Sequence, residues 1–123
     1  MGLQEFKSMI RRKDEYIKEI KPNMRGGDKE VLVTNLFDKE ELMNKARLFA
    51  TLTLTPGASI GTHQHDNEKE YFYIIKGNPT YLDGDNEIQL YEGDSTICDD
   101  GQSHSIMNKT DEDVVVLACI MLK

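Results

Sequence analysis

The stretch GTHQHDNEKEYFYIIKG, residues 61–77, decides how this chain is read. His63 and His65 are two apart, so on a strand they project from one face, with Gln64 on the other. Glu70 follows at an odd separation. It rejoins the histidine face only if the intervening DNEK segment contains a turn or bulge, and Asp66 and Asn67 are good turn formers. From Glu70 the run alternates again: Phe72 and Ile74 share its face, while Tyr71, Tyr73 and Ile75 face away. The chain has only three histidines, and the third, His104, opens the segment HSIMN just after the turn Asp99-Asp100-Gly101. If HSIMN neighbours the first histidine strand, three imidazoles and one carboxylate converge, a donor set suited to a metal ion.

Outward from this stretch, the chain from about residue 30 reads as short β segments between turn residues. EVLVTNLF is rich in β-branched residues, and ARLFATLTL alternates up to the breaker Pro56-Gly57. DKEELMN has the makings of one helical turn with Asp38 as its N-cap. TYL and EIQL flank Asp83-Gly84-Asp85-Asn86, a hairpin signal. DSTIC and HSIMN follow, and VVVLACIML closes the chain. Many short strands at regular turn spacing predict an all-β sandwich or barrel. The first 22 residues are ambiguous. Leu3, Phe6, Ile10, Ile17 and Ile20 fit a helical stripe, whereas YIKEIK alternates as an edge strand does. A short helix or arm at 2–8 followed by one or two edge strands is expected.

With 123 residues the chain is the length of one domain. Its formal charge of −7 makes phosphate backbones and anionic lipid poor partners. The N-terminal MGLQEFKSMIRRKDEY carries no apolar signal-peptide core, so a cytoplasmic protein is expected. Cys98 and Cys119 have no metal-type spacing and are expected as free thiols.

Gly57, His63, His65, Glu70 and Gly77 match the motif G-x5-H-x-H-x4-E-x6-G, and Gly93, Gly101, His104 and Asn108 match G-x5-P-x-G-x2-H-x3-N. These are the two cupin motifs, and the chain resembles a small single-domain cupin over roughly residues 30–122. Asp99 departs from the pattern, standing where the family has proline; this alters a turn and removes no ligand. The resemblance implies a double-stranded β-helix (jelly-roll) barrel over 30–123, preceded by an N-terminal arm with edge strand or strands over 1–29. It implies His63, His65, Glu70 and His104 as metal ligands, the same four that the strand argument brings together.

Such a donor set suits iron, manganese, nickel, cobalt, zinc or copper, and does not choose among them. Four protein ligands on an octahedral ion leave two positions for water, dioxygen or a chelating acid. Phe72, Ile74, Ile106 and Asn108 are expected on the pocket wall. Arg25 and Arg47 are candidate carboxylate clamps, although a solvated or salt-bridged arginine is the plainer reading of each. Tyr81 is a candidate acid–base group. The outward Tyr71, Tyr73 and Ile75, with VVVLACIML apolar on both faces, point to a covered outer surface and a homodimer. The functional expectation is a metal-dependent enzyme of dioxygenase, decarboxylase or isomerase type acting on a small polar or anionic metabolite. The alternative is a metal-dependent small-molecule binding or sensor protein without turnover.

Overall fold

The computed structural model of the chain describes residues 9–123. The arm expected at 2–8 lies outside the described residues. Strand β1 (Ile17–Pro22) leads through one 3-10 turn (Met24–Gly26) to β2 (Glu30–Asn35) and β3 (Ala46–Leu54). Then come β4 (Ser59–Gln64), β5 (Glu68–Lys76), β6 (Thr80–Asp83) and β7 (Asn86–Gln89). The chain ends with β8 (Ser95–Cys98), β9 (Ser103–Met107) and β10 (Val114–Leu122). The strands form a six-stranded sheet in the order β1-β2-β3-β10-β5-β8 and a four-stranded sheet in the order β4-β9-β6-β7. Every pairing is antiparallel.

Turn chemistry explains the winding. From β3 onward the chain changes sheet at each breaker: Pro56-Gly57, Asp66-Asn67, Gly77–Pro79, the segment after Gln89, Asp99–Gln102 and the segment after Met107. Only the β6–β7 hairpin, closed by Gly84-Asp85, stays within one sheet. The result is the double-stranded β-helix expected from sequence. The inward faces supply Val31, Val33, Leu52, Leu54, Ile60, Phe72, Ile74, Ile106, Val114 and Val116, all buried in one cluster. Each such side chain contributes roughly 1.5–3 kcal/mol through burial.

DKEELMN forms the expected single turn. The Glu41 amide donates to Asp38 Oδ1 at 2.8 Å and the Asp38 amide returns a bond to Glu41 Oε1 at 3.0 Å, a reciprocal cap. Arg11 fastens the segment before β1 to this region, donating to the Leu36 carbonyl, pairing with Glu41 and lying over the Phe37 ring. Among the described residues of the ambiguous N-terminal region, one edge strand, β1, forms. Glu19 pairs with Val33 and Lys21 with Val31, so these polar residues share the inward face while Ile20 points outward and is 64% exposed.

Two bulges then re-aim side chains toward the interior. On β4 and β9, Ile60 pairs with Ile106 and His63 with His104, leaving Gly61 and Thr62 opposite Ser105 alone. Ile60 and His63, three residues apart, therefore share a face. On β3 and β10, Leu48 pairs with Ile120 and Ala46 with Met121, which leaves Arg47 as the extra residue. On the outer face, Tyr71, Tyr73, Ile75 and Ile97 remain exposed beside half-buried Leu117 and Cys119.

Candidate metal centre

Each of the four expected residues arrives by a different local device. His63 comes from the β4 bulge, and His65 lies one residue past the end of β4. Glu70 rejoins the face through the turn at Asp66-Asn67, where Asn67 is left-handed at φ 61°. His104 is delivered by the pairing of β9 with β4. The four donor atoms lie within 4.8 Å of one another and could hold a metal ion.

The spacing is that of a coordination sphere. His104 Nε2 stands 3.1 Å from both His63 Nε2 and His65 Nε2, and 2.9 Å from Glu70 Oε1. His65 Nε2 is also 2.9 Å from Glu70 Oε1, and His63 Nε2 is 3.7 Å from it. Ligands at about 2.1 Å from a cation and at right angles to each other are about 3 Å apart. Two imidazole lone pairs 3.1 Å apart repel unless a cation or proton lies between them, so the donor set fits a metal.

The far side of each ring is engaged, which leaves Nε2 for the centre. His63 Nδ1–H donates to the Gly61 carbonyl at 2.7 Å. His65 Nδ1–H donates to Glu68 Oε2 at 2.6 Å. The Tyr81 hydroxyl oxygen sits 2.8 Å from His104 Nδ1 and accepts a hydrogen bond from Nδ1–H when Nε2 turns a lone pair inward. Phe72 stacks on the His104 ring, with centroids 5.1 Å apart and planes at 15°. Glu68 in turn accepts two 2.7 Å bonds from the Arg47 guanidinium.

Electrostatics follow the contacts. Burial disfavours the Glu70 carboxylate, but hydrogen bonds with His104, His63 and His65 outweigh it and hold the group well below the usual carboxylate range. Glu68 is held down at about 2, chiefly by Arg47 and then by His65. The hydrogen bond to Glu70 raises His65, against burial, whereas burial lowers His104. Burial pushes Tyr81 up to about 12 and Cys98, opposite Glu70 in the sheet, up to about 11. Both stay protonated at neutral pH, so neither is ready to act as a base or thiolate.

A cavity of about 500 Å3 opens onto His63, His65 and Glu70. Arg25, Arg47 and Lys21 line it together with Glu19 and Asn35, and its apolar wall is Met24, Leu48, Leu52 and Ile60. The wall expected from sequence lies elsewhere. Phe72, Ile74 and Ile106 are buried core side chains away from this lining. Asn108 is a clip: its amide donates to the carbonyls of Leu54 and Glu112, and its Oδ1 accepts from the Thr110 amide and hydroxyl. The alternation argument named the right inward face but could not tell that the cavity lies against β1–β4, where Leu52 and Ile60, level with Ile74 and Ile106, line it. Arg25 and Arg47 do line the cavity, and Arg47 is salt-bridged. Tyr81 is not in the lining; it braces His104 from behind. Glu68 was missed, although it lies on the Glu70 face of β5 at the period of two that identified Phe72 and Ile74.

Comparison with known proteins agrees with this architecture. Residues 50–120 match the family described as Cupin domain. An oxalate-binding protein of Thermotoga maritima is 41% identical over 120 residues, which cover 98% of this chain and 99% of that protein. The crystal structure of a predicted oxalate decarboxylase from the same organism superposes with a TM-score of 0.90 at 42% identity, covering 94% of this chain and 100% of that one. A Klebsiella pneumoniae protein with a double-stranded β-helix domain superposes with a TM-score of 0.71 at 23% identity, covering 94% of this chain and 91% of that one, a likeness of fold. With its two motifs, two facing antiparallel sheets and a match over more than half its length, the chain belongs to the cupin family.

Proposed function

We propose that this protein binds one divalent transition metal through His63, His65, Glu70 and His104, and that the metal-loaded site holds a small chelating carboxylate of the oxalate class. The observation that carries the reading is the convergence of four donor atoms while all three Nδ1 positions have partners behind them. A divalent cation here supplies Lewis acidity and open positions for carboxylate oxygens. The chain's residues do the rest. Glu68, Gly61 and Tyr81 orient the imidazoles, and Glu70 offsets part of the cation's charge. Leu48, Leu52 and Ile60 keep water from one side of the cavity, which strengthens charge interactions inside it. The similarity to an oxalate-binding protein supports this ligand class.

Turnover is the second reading, favoured by the similarity to a structure described as a predicted oxalate decarboxylase. It would convert oxalate and one proton to formate and carbon dioxide. Two measurements test the proposal: metal content by elemental analysis, and oxalate affinity by calorimetry with and without metal. His65→Ala and His104→Ala should each lose metal and the thermal stabilisation that metal confers. Unchanged metal content in either variant refutes the ligand assignment. Release of formate from oxalate separates enzyme from binding protein.

For assembly we propose a homodimer through the outer face carrying Tyr71, Tyr73, Ile75 and Ile97, since four exposed large side chains there make an apolar patch. We propose residues 30–123 as the barrel domain, preceded over 1–29 by an N-terminal arm with its edge strand. The charge of −7 and the two free cysteines support a cytoplasmic protein with small-molecule rather than nucleic-acid or membrane partners. Among the described residues, no helix is long and apolar enough to cross a membrane.

A further inference from the structure

The charges around the cavity do not all cancel. Lys21 pairs with Glu19 at 3.2 Å, and Arg47 is committed to Glu68 by two bonds of 2.7 Å. Arg25 also lines the cavity, yet among the described residues it has no hydrogen-bond or ion-pair partner. Its backbone is left-handed, φ 54° and ψ 30°, in a residue that carries a Cβ. Such a conformation persists only where the surroundings impose it. Here they do. The Arg25 carbonyl lies where a Cβ on Gly61 would be, 2.1 Å from that position, and a Cβ on Gly27 would meet the Ser59 carbonyl at 2.1 Å. The 3-10 turn is thus pressed against β4, and Gly61 is the residue whose carbonyl orients His63. The Arg25 backbone is held against the strand that carries His63, and its exposed side chain extends from there.

The cavity is also larger than oxalate needs. A volume of about 500 Å3 is in the range of sites for whole metabolites, roughly 300–1,000 Å3, whereas oxalate has two carbons and four oxygens. Met24, Leu48, Leu52 and Ile60 also line the cavity, and they suit a short hydrocarbon spacer.

We propose that Arg25 is the specificity-determining residue of this site, taking the distal carboxylate of an α-oxo or α-hydroxy dicarboxylic acid whose other end binds at the metal. This rests on the metal-dependent carboxylate binding proposed above and names its substrate class. The planar guanidinium fork matches a carboxylate bidentately, and among the described residues no competing anion occupies it.

The test is calorimetry on the zinc-loaded protein with three kinds of probe. Oxalate reports the metal end alone. 2-Oxopentanoate adds a hydrocarbon tail without a second charge. 2-Oxoglutarate and 2-oxoadipate add the distal carboxylate at two lengths. The better dicarboxylate should bind at least about tenfold tighter than 2-oxopentanoate, a difference expected of one charge-assisted pair. Arg25→Ala should bring that ratio to about one and leave oxalate and 2-oxopentanoate within about threefold. Gly27→Ala, which leaves Arg25 and the four cluster residues unsubstituted but forces the turn that carries Arg25 off β4, should lower the ratio at unchanged zinc content. Equal affinity for 2-oxopentanoate and both dicarboxylates in the wild type overturns the assignment while leaving oxalate binding standing. So does an Arg25→Ala variant that weakens all probes alike. If oxalate itself fails to bind the zinc-loaded wild type, the ligand class proposed above falls too, and this inference with it.

Discussion

Removing the Glu68 carboxylate should weaken metal binding without unfolding the barrel. Glu68 is not among the four donors, so its effect must pass through His65. The bond from His65 Nδ1 is 2.6 Å, short and charge-assisted, and Arg47 fixes its acceptor with two further bonds of 2.7 Å. The carboxylate fixes the ring's tautomer, its orientation and its basicity at Nε2. Loss of such an outer partner costs about 10- to 100-fold in metal affinity, or about 1.4–2.7 kcal/mol. The short bond and the braced acceptor place Glu68→Ala in the middle of that range or above, about 30-fold. Glu68→Gln keeps an acceptor but not its charge and should cost less. Arg47→Ala leaves the His65 bond and should cost less again. Competition against a chelator of known zinc affinity measures each value, and thermal melting in excess EDTA measures the metal-free fold. The Arg47–Glu68 pair is partly exposed, with the arginine side chain 38% accessible, so its share of the metal-free loss should be within about 1 kcal/mol, and the buried His65 Nδ1–H left without its acceptor adds about 1–3 kcal/mol. Zinc affinity within twofold of wild type in Glu68→Ala would show that the carboxylate is only a surface ion-pair partner, and would refute the reasoning.

Other outcomes follow from the same contacts. Asn108→Ala removes amide donors from the buried Leu54 carbonyl and the part-buried Glu112 carbonyl and an acceptor from Thr110, and should cost about 2–3 kcal/mol in urea unfolding, consistent with a clip rather than a pocket wall. Phe72→Leu keeps an apolar side chain but loses the ring stacked on His104; zinc affinity should fall a few-fold, whereas Phe72→Ala should cost the fold about 3–5 kcal/mol. Glu68 titrates at about 2 when folded, below its ordinary 4.5. Its contribution in the metal-free protein is therefore full above about pH 4.5 and is lost as pH falls toward 2. In an acid titration followed by circular dichroism, Glu68→Gln should flatten that limb of the stability profile, and an unchanged limb would count against the depressed value.

The sequence alone fixed the β character, the positions of the turns and the four metal-site candidates. These are properties of local chemistry: a period of two, glycine, asparagine and proline at the breaks, and two histidines on one strand face. It even carried a signal for Glu68, one alternation before Glu70. Tertiary structure decided what local pattern cannot encode. Whether Glu70 regained the histidine face depended on the Asp66-Asn67 turn, and whether Ile60 shared that face depended on a bulge set by the pairing of β4 with β9. Ile106 and Asn108 follow His104 at the same period, yet the first enters the core and the second clips a turn, because the cavity lies against β1–β4 and not against β9. The ambiguous YIKEIK became an edge strand with Glu19 and Lys21 on the cavity side, since only pairing with β2 could set that register. Alternation assigns a side chain to a face; only the closure of two sheets, each fixing the other's register, decides whether that part of the face meets core, metal donors or open cavity.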